Sequence, residues 1–200
     1  MKRYVTLGLA LVSMSLPACR TTATTGTGTQ YLDAFHPSQV PQASAQIVDT
    51  VSYWDGDGLS GPANVTIDLS EQKAYFYKGG QLAGISAISS GEPKHPTKTG
   101  SFKIMEKDKF HKSNLYGDYV DGAGNIIKAN IDVTKDPVPP GCRFDGAKMT
   151  HFMRIVGGIG MHEGFLPGYP ASHGCIRMPA HMAQTFFHNV SIGTPVTIRP

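Results

Sequence analysis

Four side chains capable of chemistry fall inside one short span, Met161–Met178: His162, His173, Cys175 and Arg177. The glycines and prolines between them, as in Gly164, Pro167, Gly168 and Pro170, hold the chain in turns. A thiol is a strong nucleophile only as the thiolate, and a neighbouring imidazole is a common means of making one near neutral pH. Cys175 is therefore the expected nucleophile, weighed against the ordinary fate of a free thiol as a buried structural side chain. Gly174 permits a tight turn that aims the Gly174 and Cys175 N–H groups at a developing oxyanion. Two imidazoles are candidates for the base: His162, brought back by a returning loop, and His173, two positions from the sulfur and on the same side of an extended segment. Arg177 offers a planar fork suited to a carboxylate, and Ser172 is expected to steady the turn. Zinc ligation by His162, His173 and Cys175 is the rival chemistry, although no close HxxxH or CxxC pair supports it.

These groups need a frame, and the chain before them reads as strands. Val65–Leu69 alternates, Ser70–Gln72 is turn-like, and Lys73–Tyr77 alternates again before Gly79-Gly80 turns the chain into Leu82–Ile88. Ser101–Met105 is a further strand. A long Gly/Pro-rich stretch from about Lys107 to Lys148 reads as a lid-like excursion, since loops of that length in a compact domain are usually functional or disordered. Tyr116 within it could line the cleft. Met149–Val156 alternates as a strand leading into the His/Cys span. After Pro179, the spacing of Met182, Phe186, Phe187 and Val190 predicts a helix packed on the sheet, and Pro195–Ile198 a closing strand. The expected class is mainly β, with one principal helix after Cys175.

The chain has 200 residues and a formal net charge of +3, enough for one domain with extensions. No Lys/Arg run or basic–aromatic stripe points to nucleic acid. Three cysteines, at 19, 142 and 175, are too few for a disulfide scaffold. Cys142 could pair with Cys175 under oxidation or stay unpaired. Lys2 and Arg3 followed by the apolar Tyr4–Leu16 read as a secretory signal, too short to span a membrane. Its end, Leu-Pro-Ala-Cys, is similar to a bacterial lipobox, which implies lipidation at Cys19 and export to the periplasm or cell envelope. Residues 1–19 are then the signal and 20–62 a Thr/Gly-rich tether followed by an irregular segment. Within it 43–51 could form a short helix, and Tyr53-Trp54 could pack onto the domain at 63–200. Asp55-Gly56-Asp57-Gly58 begins like a calcium loop, but Leu59 and Thr66 stand at ligand positions, so a turn is the better reading.

Ser172-His173-Gly174-Cys175-Ile176-Arg177, with His162 upstream, resembles the S-H-G-C-[IV]-R pattern of the YkuD-type L,D-transpeptidases, which remodel bacterial peptidoglycan. Thr97-Lys98-Thr99-Gly100-Ser101-Phe102 is similar to that family's T-P-T-G-x-F segment, with Lys98 in place of proline. Gly193-Thr194-Pro195-Val196 is a further match. The resemblance implies a mixed β-sandwich or barrel and catalysis by Cys175 without a cofactor or metal. It implies His162 as base, assisted by a backbone carbonyl at Glu163, with His173 shaping the pocket. Arg177, Ser172 and Tyr116 are then the expected substrate contacts. The implied substrate is a peptidoglycan tetrapeptide stem, attacked at an L-centre with release of D-Ala. The acyl group would pass to a stem amine or to the lysine of a wall-anchored protein. Water as acceptor would make the same site an L,D-carboxypeptidase or a hydrolase releasing wall-attached protein. A non-catalytic wall-binding lipoprotein is the remaining alternative.

Overall fold

The structure, a computed structural model, describes residues 49–200. The expected signal, the tether, Cys19 and most of the 43–51 helix lie outside the described residues, and 49–51 are not helical. The strands are β1 (Tyr53–Trp54), β2 (Ala63–Asp68), β3 (Lys73–Lys78), β4 (Gln81–Ala87), β5 (Gly100–Lys103), β6 (Glu106–Asp108) and β7 (Lys112–Val120). They continue with β8 (Ile126–Asp132), β9 (Arg143–Lys148), β10 (Phe152–Val156), β11 (Ile159–Glu163), β12 (Ile176–Met178) and β13 (Pro195–Arg199), with α1 (Ala180–Asn189) between the last two. Three sheets result: β1-β4-β3-β2-β13-β5, β12-β11-β10-β6 and β8-β7-β9. The architecture is mainly β with one helix among the described residues. Among the same residues no helix is long and apolar enough to cross a membrane.

The largest sheet follows from alternation. Val65 and Ile67 of β2 pair with Phe76 and Ala74 of β3, and all four side chains are buried. Gly79 and Gly80 turn the chain between β3 and β4 with φ of 56° and 82°. Positive φ at both central positions is the twist a two-residue hairpin needs, and glycine adopts it without steric cost. β13 closes the sheet by pairing parallel with β2, Val196 beside Val65 and Ile198 beside Ile67. Upstream of the expected start at 63, β1 joins the sheet edge by pairing with β4.

The helix begins after Pro179, which stands at its N-cap rather than in its first turn. It buries Met182, Ala183 and Phe186, the apolar stripe that helical spacing predicts. Phe186 meets Phe76 edge-to-face at 5.0 Å, and Phe76 meets Trp54 at 5.2 Å. These rings join a single core with Met153, Ile155, Met161, Ile176 and Met178 of the four-stranded sheet. The helix thus packs on β10 and β11 of the four-stranded sheet and on β1 of the six-stranded sheet.

The Lys107–Lys148 stretch differs from expectation. It is not loop but mostly strand, a three-stranded antiparallel sheet in which β7 lies between β8 and β9. Two of its glycines, Gly117 and Gly146, mark close strand approach, while Gly122 and Gly141 lie in turns. A Cβ on Gly117 would sit 2.2 Å from the Asp145 carbonyl oxygen, and one on Gly146 2.0 Å from that of Ser113. Replacing such apolar positions with glycine erases the alternation by which strands are recognised. Met149–His151 likewise forms a turn between β9 and β10 instead of opening one continuous strand.

Phe186→Ala is expected to destabilise the fold by about 3–5 kcal/mol, the usual cost of truncating a buried aromatic. Urea denaturation followed by near-UV circular dichroism checks this.

Candidate active site

The Cys175 segment is strapped to the chain that follows β4. Ser89 and Arg177 form a two-way backbone bridge, each N–H donating to the other's carbonyl at 3.0 Å. The N–H groups of Ala171 and Ser172 both donate to the Ser90 carbonyl at 3.0 Å, and Glu92 N–H donates to the Ser172 carbonyl at 2.9 Å. The Thr97 hydroxyl is held by Gly91 N–H at 2.8 Å and donates to the Gly174 carbonyl at 2.9 Å. Here the Thr97-Lys98-Thr99-Gly100 segment touches the Cys175 segment, through Thr97 rather than Lys98, which is exposed. Gly174 has φ of 108°, so the turn into Cys175 requires glycine. Ser172 is fully buried and donates to the Cys175 carbonyl while its oxygen accepts from Gly174 N–H at 3.1 Å. The Gly174 N–H, expected to serve an oxyanion, is therefore occupied by Ser172.

His162 lies on β11 and not on a returning loop. β11 and β12 run parallel, with His162 beside Arg177 and Met161 beside Ile176. The His162 ring is wholly buried, and its Nδ1 lies 2.7 Å from the Glu163 carbonyl oxygen. A carbonyl can only accept, so Nδ1 carries the hydrogen and Nε2 the lone pair. Nε2 is itself buried without a hydrogen-bond partner. Burial lowers the His162 pKa to about 4, the Glu163 hydrogen bond opposing and the Arg177 charge reinforcing the shift. His162 is thus a neutral imidazole of fixed tautomer, with an accepting nitrogen.

Cys175 is half-buried and is the free thiol of the described residues, so it is not joined to Cys142. Its sulfur lies 3.4 Å from the Gly158 carbonyl oxygen. Burial pushes the thiol pKa up, against a hydrogen bond from Gly160 and the Arg177 and Arg154 charges. The resting pair is therefore a neutral thiol and a neutral imidazole. Raising one pKa and lowering the other disfavours an ion pair between the two groups in the resting state.

The sulfur opens into a cavity of about 520 Å³ lined by Tyr116, Arg154, Gly158, Ile159, His173 and other residues of β7. A second cavity of about 450 Å³ is lined by Glu92, His95, Tyr116, Asp132, Lys135 and His173. Tyr116 and His173 belong to both, and their rings stack at 4.4 Å. That stack is a wall between the two spaces, built by the β-rich excursion on one side and the Cys175 segment on the other.

The expected residues accordingly separate. Cys175, His173 and Tyr116 share the cavity wall. Arg177 does not face the cleft as a clamp would: it is 1% exposed, and its guanidinium donates to the Phe165 and Ala171 carbonyls at 3.3 and 2.9 Å. It pins the 165–171 loop from within, because β12 points that side chain into the sheet interface. Ser172 is likewise internal. His162, His173 and Cys175 do not together form a metal-capable cluster; the clusters among the described residues are Glu92/His95/His173 and Glu106/Asp108/His111. Arg154 escaped sequence reading. It sits on β10, with Nε 2.6 Å from a Glu106 carboxylate oxygen and Nη1 2.9 Å from the Gly157 carbonyl. Its position two residues before Val156, on an alternating strand running toward the motif, was the available signal.

Residues 62–198 match the YkuD family model, the L,D-transpeptidase catalytic domain. The chain belongs to that family. An L,D-transpeptidase from Mycobacterium smegmatis has a similar fold, with TM-score 0.51 and 20% identity over 70% of this chain and 59% of the other. A cysteine-to-serine mutant of an Enterococcus faecium L,D-transpeptidase gives TM-score 0.52 and 25% identity, over 70% of this chain and 50% of the other. An L,D-transpeptidase from Stackebrandtia nassauensis gives 0.50 and 15%, over 72% and 60%. This chain spans about half to three fifths of the length of these solved structures. Comparison with curated proteins gives no match.

The buried His162 makes stability depend on pH. With a folded pKa of about 4 against an ordinary 6.5, the unfolded chain binds the extra proton between those values. Stability is then full above about pH 6.5 and is lost as pH falls toward 4, by roughly 3 kcal/mol from this group. His151 and His173, also lowered by burial, act in the same direction. Chemical denaturation across that range should show the loss, and His162→Asn should flatten most of the slope.

Proposed function

We propose that this domain is a cysteine acyltransferase acting on peptidoglycan stem peptides. The observation that carries the reading is the His162 tautomer: the Glu163 carbonyl holds Nδ1–H and leaves Nε2 as a buried acceptor one strand from the Cys175 segment. In the first stage Cys175 attacks the carbonyl of an L-centre as His162 Nε2 takes the thiol proton. The C–S bond forms, and the carbonyl oxygen becomes an oxyanion. Since Gly174 N–H is held by Ser172, the Cys175 N–H is the remaining candidate of the two to stabilise it. Collapse breaks the C–N bond, and protonated His162 returns its proton to the departing D-Ala amine. An acceptor amine then attacks the thioester and loses a proton to His162, which restores the thiol. With water in place of the amine, the product is a free tripeptide.

Arg154 takes the role first assigned to Arg177. It lines the cavity that holds the sulfur, and its charge favours the thiolate. A guanidinium there suits the free carboxylate of a D-centre. Export follows from the amino-terminal signal, with Cys19 as the lipid attachment point that would tether the domain to a membrane.

Incubation with disaccharide-tetrapeptide and mass analysis of the products tests the activity. A cross-linked dimer lacking D-Ala is expected, and Cys175→Ala should abolish it. Tripeptide alone would assign the domain as an L,D-carboxypeptidase. No product and no covalent adduct at Cys175 would remove the proposal.

Arg154→Gln should raise KM by about tenfold or more, the worth of one charge-assisted hydrogen bond, with a smaller effect on kcat. A variant that loses kcat alone would show that Arg154 acts on the thiol rather than on substrate.

A further inference from the structure

The second cavity has a donor set that the acyl-transfer chemistry does not use. Glu92 and His95 come from the chain after β4, and His173 from the nucleophile segment. One ligand-type atom from each lies within 4.8 Å of the others. Two imidazoles and a carboxylate are a zinc-type set, with bonds of about 2.0–2.2 Å. Glu92 and His95 already approach to 2.9 Å through Oε1 and Nδ1, and the His95 and His173 rings lie 4.5 Å apart.

The backbone fixes this meeting. Gly91 bridges Ser172, Glu92 N–H donates to the Ser172 carbonyl at 2.9 Å, and His95 N–H donates to the Glu92 carbonyl at 2.9 Å. A Cβ on Gly91 would lie 2.2 Å from the His95 carbonyl oxygen, so the loop closes tightly over a position where only glycine fits. All three side chains line the 450 Å³ cavity, which gives an ion a route in and room for water as a fourth ligand. Asp132 lines it too and is paired with Lys135 at 3.0 Å. The other candidate cluster is a weaker host, because Arg154 already places a cation on Glu106 at 2.6 Å. Its Asp108 also accepts from Phe110 N–H at 3.0 Å and pairs with His111.

We propose that Glu92, His95 and His173 form a binding site for one divalent cation of the zinc class, distinct from the catalytic thiol. The ion would fasten the 91–97 loop to the nucleophile segment and fix the His173–Tyr116 wall between the two cavities. The site is independent of the acyl-transfer reading, since binding can be measured without turnover.

The test is calorimetric titration of the chelator-treated full chain with Zn²⁺, together with Co²⁺ titration read by visible absorption. One equivalent is expected, retained in Cys175→Ser and weakened by about tenfold or more in both His95→Ala and Glu92→Gln. Neither loop side chain belongs to the proposed catalytic set, so activity without metal checks that both variants fold. Cobalt spectra should lack a thiolate charge-transfer band. Absence of binding, or binding that survives both loop variants, overturns the proposal. So does binding lost in Cys175→Ser, which would place the metal on the catalytic sulfur.

Discussion

One hydrogen bond fixes the state of the buried imidazole beside the Cys175 segment, that from His162 Nδ1 to the Glu163 carbonyl. A buried imidazole with neither nitrogen committed could exist as either tautomer, and only one of them has a lone pair on Nε2. Because a main-chain carbonyl makes the choice, the side chain at 163 does not enter it. The tautomer is therefore set whatever side chain stands at 163. The carbonyl is itself fixed by strand pairing, since Glu163 lies at the end of β11 beside Met178 of β12.

The same economy appears in Arg177. Its charge is removed from solvent, and a buried charge is tolerated only where hydrogen bonds replace water. The Phe165 and Ala171 carbonyls supply them at opposite ends of the 165–171 loop. A glycine at 164 makes room, for a Cβ there would lie 2.9–3.0 Å from the arginine's aliphatic carbons. The loop carrying exposed Phe165 and Tyr169 is thus tied from inside, and the cations that line the cavity are Lys112 on β7 and Arg154 on β10.

Burial gives the resting site its character. Desolvation disfavours both the thiolate and the imidazolium, so the two groups wait as neutral partners. A site of this kind limits stray reaction of the thiol, whose nucleophilicity depends on ionisation.

How much of this was legible beforehand depended on the range of the interactions involved. Residue types and spacing pointed to the Cys175 segment, the β-rich class and the helix buried through Met182 and Phe186, and the resemblance of the Ser172–Arg177 motif pointed to the family, because motif, alternation and helical period are local signals. The excursion was misread because Gly117 and Gly146 stand where strands press together, and glycine speaks for turns when its neighbours are unknown. The strand placement of His162, the inward turn of Arg177, the capture of Gly174 N–H by Ser172 and the entry of Arg154 into the cavity were decided only by the tertiary structure. Each depends on which strand lies beside which. Parallel pairing of β11 with β12 joins residues distant in the chain, and no local pattern specifies the partner or the face a side chain finally takes.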